Sequence, residues 1–194
     1  MLRRSFMGML ALLGASPAGA GDTDSAALWR RLREGGYVVL MRHAATVPGV
    51  GDPENFKLGA CATQRNLSDR GREDARRIGA AFRERQVPVS QVLSSRWCRC
   101  IDTAQLAFGR VQSEPMVDSM FNDDEAARQV KVRALRAYLA AGRQSKEPGN
   151  LVLVTHDINI RVLVDESLSQ GEMVVALAQP DGSLKSVGVL PLPK

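Results

Sequence analysis

The chain has 194 residues, of which 24% are charged, and a formal net charge of +5. This length suits a single domain with a sizeable core. The basic excess is small and spread along the chain, without a Lys/Arg block or interleaved aromatic residues, which argues against nucleic-acid binding. A set of arginines around one pocket that binds an anion would explain the basic excess better.

The first twenty residues have the pattern of a cleaved signal peptide. Arg3 and Arg4 form a positive start, an apolar run follows, and Ala18-Gly19-Ala20 has the small-x-small form of a cleavage site. The run is shorter than the roughly 20 apolar residues of a membrane-spanning helix, although a membrane-anchoring or amphipathic helix is the alternative. We expect cleavage after residue 20 and one domain over residues 21–194. The protein would then be periplasmic or secreted, with no stable membrane insertion after cleavage.

The predicted elements after the leader alternate between helix and strand. We expect helices over 24–34, from the N-cap Ser68 to about Arg85, over 97–107, over 125–138 and from about Ile158. Between them we expect strands over 38–41, 89–94 and 151–155 and a short strand at 115–117. The chain then ends in a hairpin of strands 172–178 and 184–190. This alternation predicts an α/β domain with a mostly parallel sheet.

Two further segments lie within this pattern. Residues 45–66 form a long irregular stretch, and a loop of that length in a compact domain is usually functional or disordered, so we expect it to cover a pocket and read the substrate. In the helix over 125–138, Ala127, Val130, Ala134 and Tyr138 recur at helical spacing. We interpret this stripe as core packing.

The only two histidines of the chain each follow a buried apolar strand. Arg42-His43 comes after Val38–Met41, and His156-Asp157 comes after Leu151–Thr155. Ligands of open α/β sheets bind beyond the carboxyl ends of the strands. If the two strands are parallel neighbours, both imidazoles therefore reach one pocket.

The three cysteines are Cys61, Cys98 and Cys100. In an exported protein Cys61 can pair with either of the other two, which leaves one thiol over. A zinc site is disfavoured because the one-residue gap between Cys98 and Cys100 is not the usual ligand spacing.

Four motifs in order resemble the histidine phosphatase superfamily, which includes phosphoglycerate mutases and acid phosphatases. Arg42-His43-Ala44 resembles the family's Arg-His-Gly, with alanine at the glycine position. The other three are Asn66–Gly71 with Ala75, Ser94–Ala104, and Thr155–Asn159, the last resembling the His-Asp-x-Asn motif of the acid phosphatase and phytase branch. The resemblance covers about residues 38–161, and it implies a three-layer α/β/α sandwich with a mostly parallel central sheet, as in phosphoglycerate mutase.

The resemblance also implies a phosphomonoesterase that needs no metal and no cofactor. His43 would be the nucleophile that forms a phosphohistidine, which suits the chemistry of a neutral imidazole. Phosphate would be bound by His156 and by the guanidinium forks of Arg42 and Arg99, with Thr46 nearby. One carboxyl group can protonate the leaving oxygen and then deprotonate water, and Asp157 is the first choice for it.

Several alternatives stay open. The acidic cluster of Asp123, Asp124 and Glu125 competes with Asp157 as proton donor. A phosphoglycerate-type mutase is a less favoured function, and a non-catalytic phosphate binder, with Ala44 marking lost activity, is another. The expected ligand is a small-molecule phosphate monoester, for which a phosphorylated sugar of the cell envelope is one candidate. Nothing in the sequence indicates the oligomeric state.

Overall fold

The computed structural model describes residues 20–142 and 148–194. The predicted signal peptide, residues 1–20, therefore lies outside the described residues except for its last position. In the described part of the chain, no helix is both long enough and apolar enough to cross a membrane.

The described chain alternates between helices and strands. The helices are α1 Ala20–Glu34, α2 Asp69–Glu84, α3 Cys98–Phe108, α4 Glu125–Gly142 and α5 Asp157–Val164. The strands are β1 Val38–Arg42, β2 Val89–Ser94, β3 Gln112–Ser113, β4 Asn150–Thr155, β5 Met173–Ala178 and β6 Leu184–Leu190.

All six strands form one sheet in the order β3-β2-β4-β1-β5-β6. The strands β3, β2, β4 and β1 run parallel, β5 is antiparallel to β1, and β6 is antiparallel to β5. The predicted mostly parallel sheet with a closing hairpin is thus confirmed. The long apolar runs of β1 and β4 are explained by their central position, where both faces are covered.

The two faces of the sheet bury separate cores. On one face, side chains of α1, α2 and α3, including Leu32, Ile78 and Ala104, pack against the strands. On the other, Leu135 and Leu139 of α4 and Ile160 of α5 do so. The structure is therefore the expected three-layer α/β/α sandwich.

Helix α2 begins where the sequence predicts and lies very close to the chain that follows His43. The hydroxyl of Ser68 caps the helix by accepting from the Gly71 N–H at 3.1 Å. A Cβ at Gly71 would lie only 1.8 Å from the carbonyl oxygen of Ala45. The glycine therefore lets α2 pack directly against the backbone that leads out of the strand end.

Two expectations about local structure are wrong. Pro115–Val117 is a 3-10 helix and not a strand, because the N–H groups of Val117 and Asp118 bond back to Glu114 and Pro115 within the turn. The stripe on α4 is core packing only at Tyr138, which packs against the buried cluster on that face of the sheet. Val130 is 57% exposed, and the core face of the helix consists of Val132, Leu135 and Leu139.

Candidate active site

The two histidines meet because their strands are neighbours in the sheet. Arg42 of β1 is paired with Thr155 of β4, so the next residue of each strand is a histidine. The centroids of the two imidazole rings are 5.5 Å apart, and both side chains are buried. The predicted convergence of His43 and His156 is confirmed.

The His43 ring is held with one nitrogen available for chemistry. Its Nδ1 lies 2.9 Å from the carbonyl oxygen of Ala44. Because a carbonyl can only accept, we assign the proton to Nδ1, which leaves the lone pair on Nε2. Burial lowers the pKa of His43 to about 3, with added repulsion from Arg99 and Arg42 and partial opposition from the Ala44 hydrogen bond. The imidazole is therefore neutral near pH 7, as a nucleophile requires.

His156 lies beside it as the N-cap residue of α5. Its Nε2 is 2.9 Å from the Ser95 hydroxyl and 3.5 Å from the Cys100 sulfur. Burial, together with the nearby His43 and Arg99, holds the pKa of His156 well below its usual value. His156 is thus a neutral group, and its tautomer determines which ring nitrogen can donate a hydrogen bond to an anion.

Both terminal nitrogens of the Arg99 guanidinium donate to a carboxylate of the long loop over residues 45–66. Its Nη1 and Nη2 donate to the two oxygens of Asp52 at 2.7 and 3.1 Å, and Arg99 is only 4% exposed. The same carboxylate accepts from the Arg65 N–H at 3.0 Å and from Trp97 Nε1 at 2.9 Å. Asp52 thus occupies the bidentate position that a phosphate would take on Arg99.

Asp52 is ionised in this arrangement. Burial acts to raise the pKa of its carboxyl, but the hydrogen bonds from Arg99 and Arg65 outweigh burial and hold that pKa below its usual value. A negatively charged group is therefore already present where the sequence predicts the phosphate.

Two more of the arginines that line the cavity act on His43. Arg42 Nη1 donates to the carbonyl oxygen of Leu168 at 2.5 Å, which fixes its position at the end of β1. Arg65 donates to the carbonyl oxygen of Gly49, and its charge contributes to lowering the pKa of His43. Arg42, Arg65 and Arg99 therefore bring positive charge to His43 from three separate chain segments.

The alanine that replaces the family's glycine is accommodated without distortion of the site. Ala44 is fully buried, and it packs with Leu67 and Ala75. Its N–H donates to the Thr103 hydroxyl at 3.0 Å. Thr46, in contrast, is not among the residues that line the cavity, and its hydroxyl accepts from Gln170 at 3.1 Å. Thr46 is thus joined to the cavity through Gln170, and its role in phosphate binding stays a prediction.

Asp157 lines the cavity and is firmly held. One of its oxygens accepts from the Leu168 N–H at 2.8 Å, and the other lies 3.0 Å from Arg161 Nη2. Since Leu168 also accepts from Arg42, its peptide groups connect Asp157 to the end of β1.

Of the competing acidic cluster, only Asp123 lines the cavity, where it pairs with Lys131 at 2.6 Å. Asp124 accepts from the Ala127 N–H at 2.8 Å, and Glu125 accepts from Gln129 at 2.7 Å. Of the four carboxylates considered from the sequence, Asp157, Asp123, Asp124 and Glu125, the first two therefore line the cavity, and the choice of proton donor stays a prediction.

The disulfide pairing left open by the sequence is Cys61 with Cys98. It joins the long loop to the first residue of α3, one position before Arg99. Cys100 is a free thiol, and burial raises its pKa to about 12. Among the described residues there is no group of three or more His, Cys, Asp or Glu side chains that could hold a metal ion.

The site opens into a cavity of about 1330 Å³. The predicted residues Arg42, His43, Arg99, His156 and Asp157 all line it. Asp52 and Arg65 were not predicted as site residues, because they lie in the irregular loop where no periodicity marks them. The contact between Ser95 and His156 was not predicted either, although Ser94-Ser95 belongs to one of the four motifs.

The family model described as histidine phosphatase superfamily (branch 1) matches residues 38–123. No curated protein matches the chain in sequence.

Solved structures with low sequence identity share the fold. The mycobacterial glucosyl-3-phosphoglycerate phosphatase Rv2419c is 18% identical, with a TM-score of 0.56 over 81% of this chain and 99% of that one. The protein histidine phosphatase SixA complexed with tungstate is 13% identical, with a TM-score of 0.55 over 79% and 96%. A putative α-ribazole-5'-P phosphatase from Escherichia coli is 16% identical, with a TM-score of 0.54 over 82% and 97%. The resemblance to the histidine phosphatase superfamily is thereby confirmed, and the chain has the fold of that superfamily.

Proposed function

We propose that the chain is a phosphatase that hydrolyses phosphate monoesters without a metal, through a phosphohistidine on His43. The observation that carries this proposal is the neutral, buried His43 with Nε2 free, beside His156 and the guanidinium of Arg99. The names of the similar structures, a glucosyl-3-phosphoglycerate phosphatase and a histidine phosphatase complexed with tungstate, support it.

In the first step the lone pair of Nε2 attacks phosphorus as the bond from phosphorus to the ester oxygen breaks. The charge on the three equatorial oxygens would be met by Arg42, Arg99 and His156, which supply donors from separate segments. For this, the carboxylate of Asp52 must leave the Arg99 fork.

The departing oxygen takes a proton from a carboxyl group. In the second step that carboxylate removes a proton from water, whose oxygen attacks phosphorus, and the phosphorus–nitrogen bond breaks to release inorganic phosphate and neutral His43. Asp157 is our first choice for this carboxyl, and Asp123 is the competitor.

We further propose that the protein is exported, and that a phosphorylated sugar of the cell envelope is a substrate. The leader pattern of residues 1–20 supports export. The Cys61–Cys98 disulfide also supports it, since such bonds persist in oxidising compartments.

A non-catalytic phosphate-binding protein is the second candidate, and the alanine at position 44, where the resembled motif has glycine, favours it. One experiment separates the two: purified protein is incubated with an aryl phosphate and EDTA, quenched in alkali, and mapped for phosphopeptides. The proposal expects turnover with EDTA, phosphate on the peptide that contains His43, and neither in His43→Asn. Turnover that EDTA abolishes, or that survives His43→Asn, would overturn it, and phosphate binding without turnover would establish the binder.

The proton donor is tested with two esters of different leaving groups. Asp157→Asn should lower the rate of hydrolysis of an alkyl phosphate far more than that of a nitrophenyl phosphate, because the nitrophenolate leaving group needs little protonation. Asp123→Asn serves as the matched variant, and the reverse pattern would transfer the role to Asp123.

A further inference from the structure

Helix α4 has two apolar faces, and only one of them packs in the core. Val132, Leu135 and Leu139 are buried against the sheet. Ala127, Val130 and Ala134 lie at helical spacing on a different face and line the cavity. Since an exposed helix face normally carries polar residues, a row of three apolar residues there requires an explanation.

Further apolar side chains extend this surface. Phe121, which is 63% exposed, and Met116, which is largely buried, also line the cavity. We call these five residues, Ala127, Val130 and Ala134 with Met116 and Phe121, the apolar wall. Val50, in the long loop, also lines the cavity and is 93% exposed. Large exposed apolar side chains are thus collected around the site entrance, and such concentrations mark binding surfaces.

Two regions of the cavity differ in how their charges are balanced, while the lining residues Arg96 and Arg161 are paired with Asp118 and Asp157. The unprotonated His43 is accompanied by Arg42, Arg65 and Arg99 at the phosphate end. Next to the apolar wall, the charge of Lys131 is balanced by Asp123 at 2.6 Å, and its Nζ also donates to the Ser119 carbonyl at 2.9 Å. A ligand portion on the wall would therefore meet apolar atoms and an ion pair that is already satisfied.

The cavity is also too large for phosphate alone. Its volume of about 1330 Å³ exceeds the roughly 300–1000 Å³ that is typical of sites for drug-sized organic ligands. The space beyond the phosphate end is thus sufficient for a substantial organic group.

We propose that the preferred substrate is a phosphate monoester whose organic group has an extended apolar portion, bound against the apolar wall. This inference rests on the proposed phosphatase function and narrows its substrate. A phosphorylated envelope sugar meets the condition when the sugar also carries a hydrocarbon chain.

The test is a series of ethyl, butyl and octyl phosphates, used below their micelle-forming concentrations. Their alcohols are similar leaving groups, so kcat/KM reports contacts of the chain. The inference expects kcat/KM to rise by up to about fourfold for each methylene that becomes buried.

The variant Val130→Ser should lower kcat/KM for octyl phosphate several-fold more than it lowers kcat/KM for ethyl phosphate. Val162→Ser is the matched control, because Val162 is an exposed valine on α5 that does not line this cavity. Equal kcat/KM across the series, or equal effects of the two variants, would overturn the inference while phosphatase activity stands. Turnover of none of the esters would overturn the phosphatase proposal itself.

Discussion

Replacing Asp52 by asparagine should make the protein bind inorganic phosphate more tightly. The two oxygens of Asp52 accept from the Arg99 guanidinium at 2.7 and 3.1 Å, and an entering phosphate has to displace them. A hydrogen bond to a charged group contributes about 1.5–3 kcal/mol to a folded protein. Removal of that competition should lower the Kd for phosphate by about tenfold to a hundredfold.

The measurement is calorimetric titration with inorganic phosphate, which reports binding independently of turnover. Glu54→Gln is the matched control, because Glu54 is an exposed carboxylate of the same loop that lines the same cavity. It removes one negative charge without releasing Arg99. If Asp52→Asn binds phosphate no more tightly than Glu54→Gln, the carboxylate does not compete for the guanidinium and the reasoning is refuted.

Three further outcomes are expected from the folded structure. The pKa of His43 is about 3 in the folded state and about 6.5 when unfolded, so between these values the unfolded chain binds the extra proton and stability falls as the pH falls; His43→Asn should reduce that slope in denaturant titrations by about 1.4 kcal/mol per pH unit around pH 5, and an unchanged slope would contradict the burial of a neutral ring. Reduction of the Cys61–Cys98 disulfide, which spans 37 residues, should lower the free energy of unfolding by up to about 4 kcal/mol in the chain-entropy description, whereas a double Cys→Ser variant should be insensitive to reductant. Gly79→Ala should destabilise by more than about 3 kcal/mol, because its Cβ would lie 2.0 Å from a carbonyl oxygen of α3, while Gly142→Ala, which meets no atom within 4 Å, should be neutral or slightly stabilising in thermal melts.

The sequence predicted the sheet and the histidine pair because the signals are local. Each of the buried strands β1 and β4 is a continuous apolar run that is followed directly by a histidine, so both strands could be predicted from the sequence. The resemblance of the motifs then placed Arg99 near both histidines. The turn at Pro115–Val117 looked like a strand because three residues are too few for periodicity to distinguish a strand from a 3-10 turn.

Helix α4 shows why periodicity alone assigned the wrong core face. Ala127, Val130 and Ala134 repeat at the same helical spacing as Val132, Leu135 and Leu139, so the pattern shows two apolar faces without indicating which one meets the sheet. Only the position of the helix in the fold decides this.

Asp52 could not have been predicted for a different reason. It is 47 positions from Arg99 in the chain and lies in a loop whose conformation depends on contacts made after folding. No repeating pattern in the sequence records such a contact.

The fixed points of the long loop have a consequence for the thermodynamics of binding. The two ends of the loop are joined by the bridge between Thr46 and Leu67, and its interior is held by the Cys61–Cys98 bond. The conformational entropy that a flexible loop would lose on ligand binding has therefore largely been lost already, during folding and disulfide formation. Association should carry a smaller entropic penalty in the oxidised protein than in the reduced one, although every ligand-contacting side chain is the same in both.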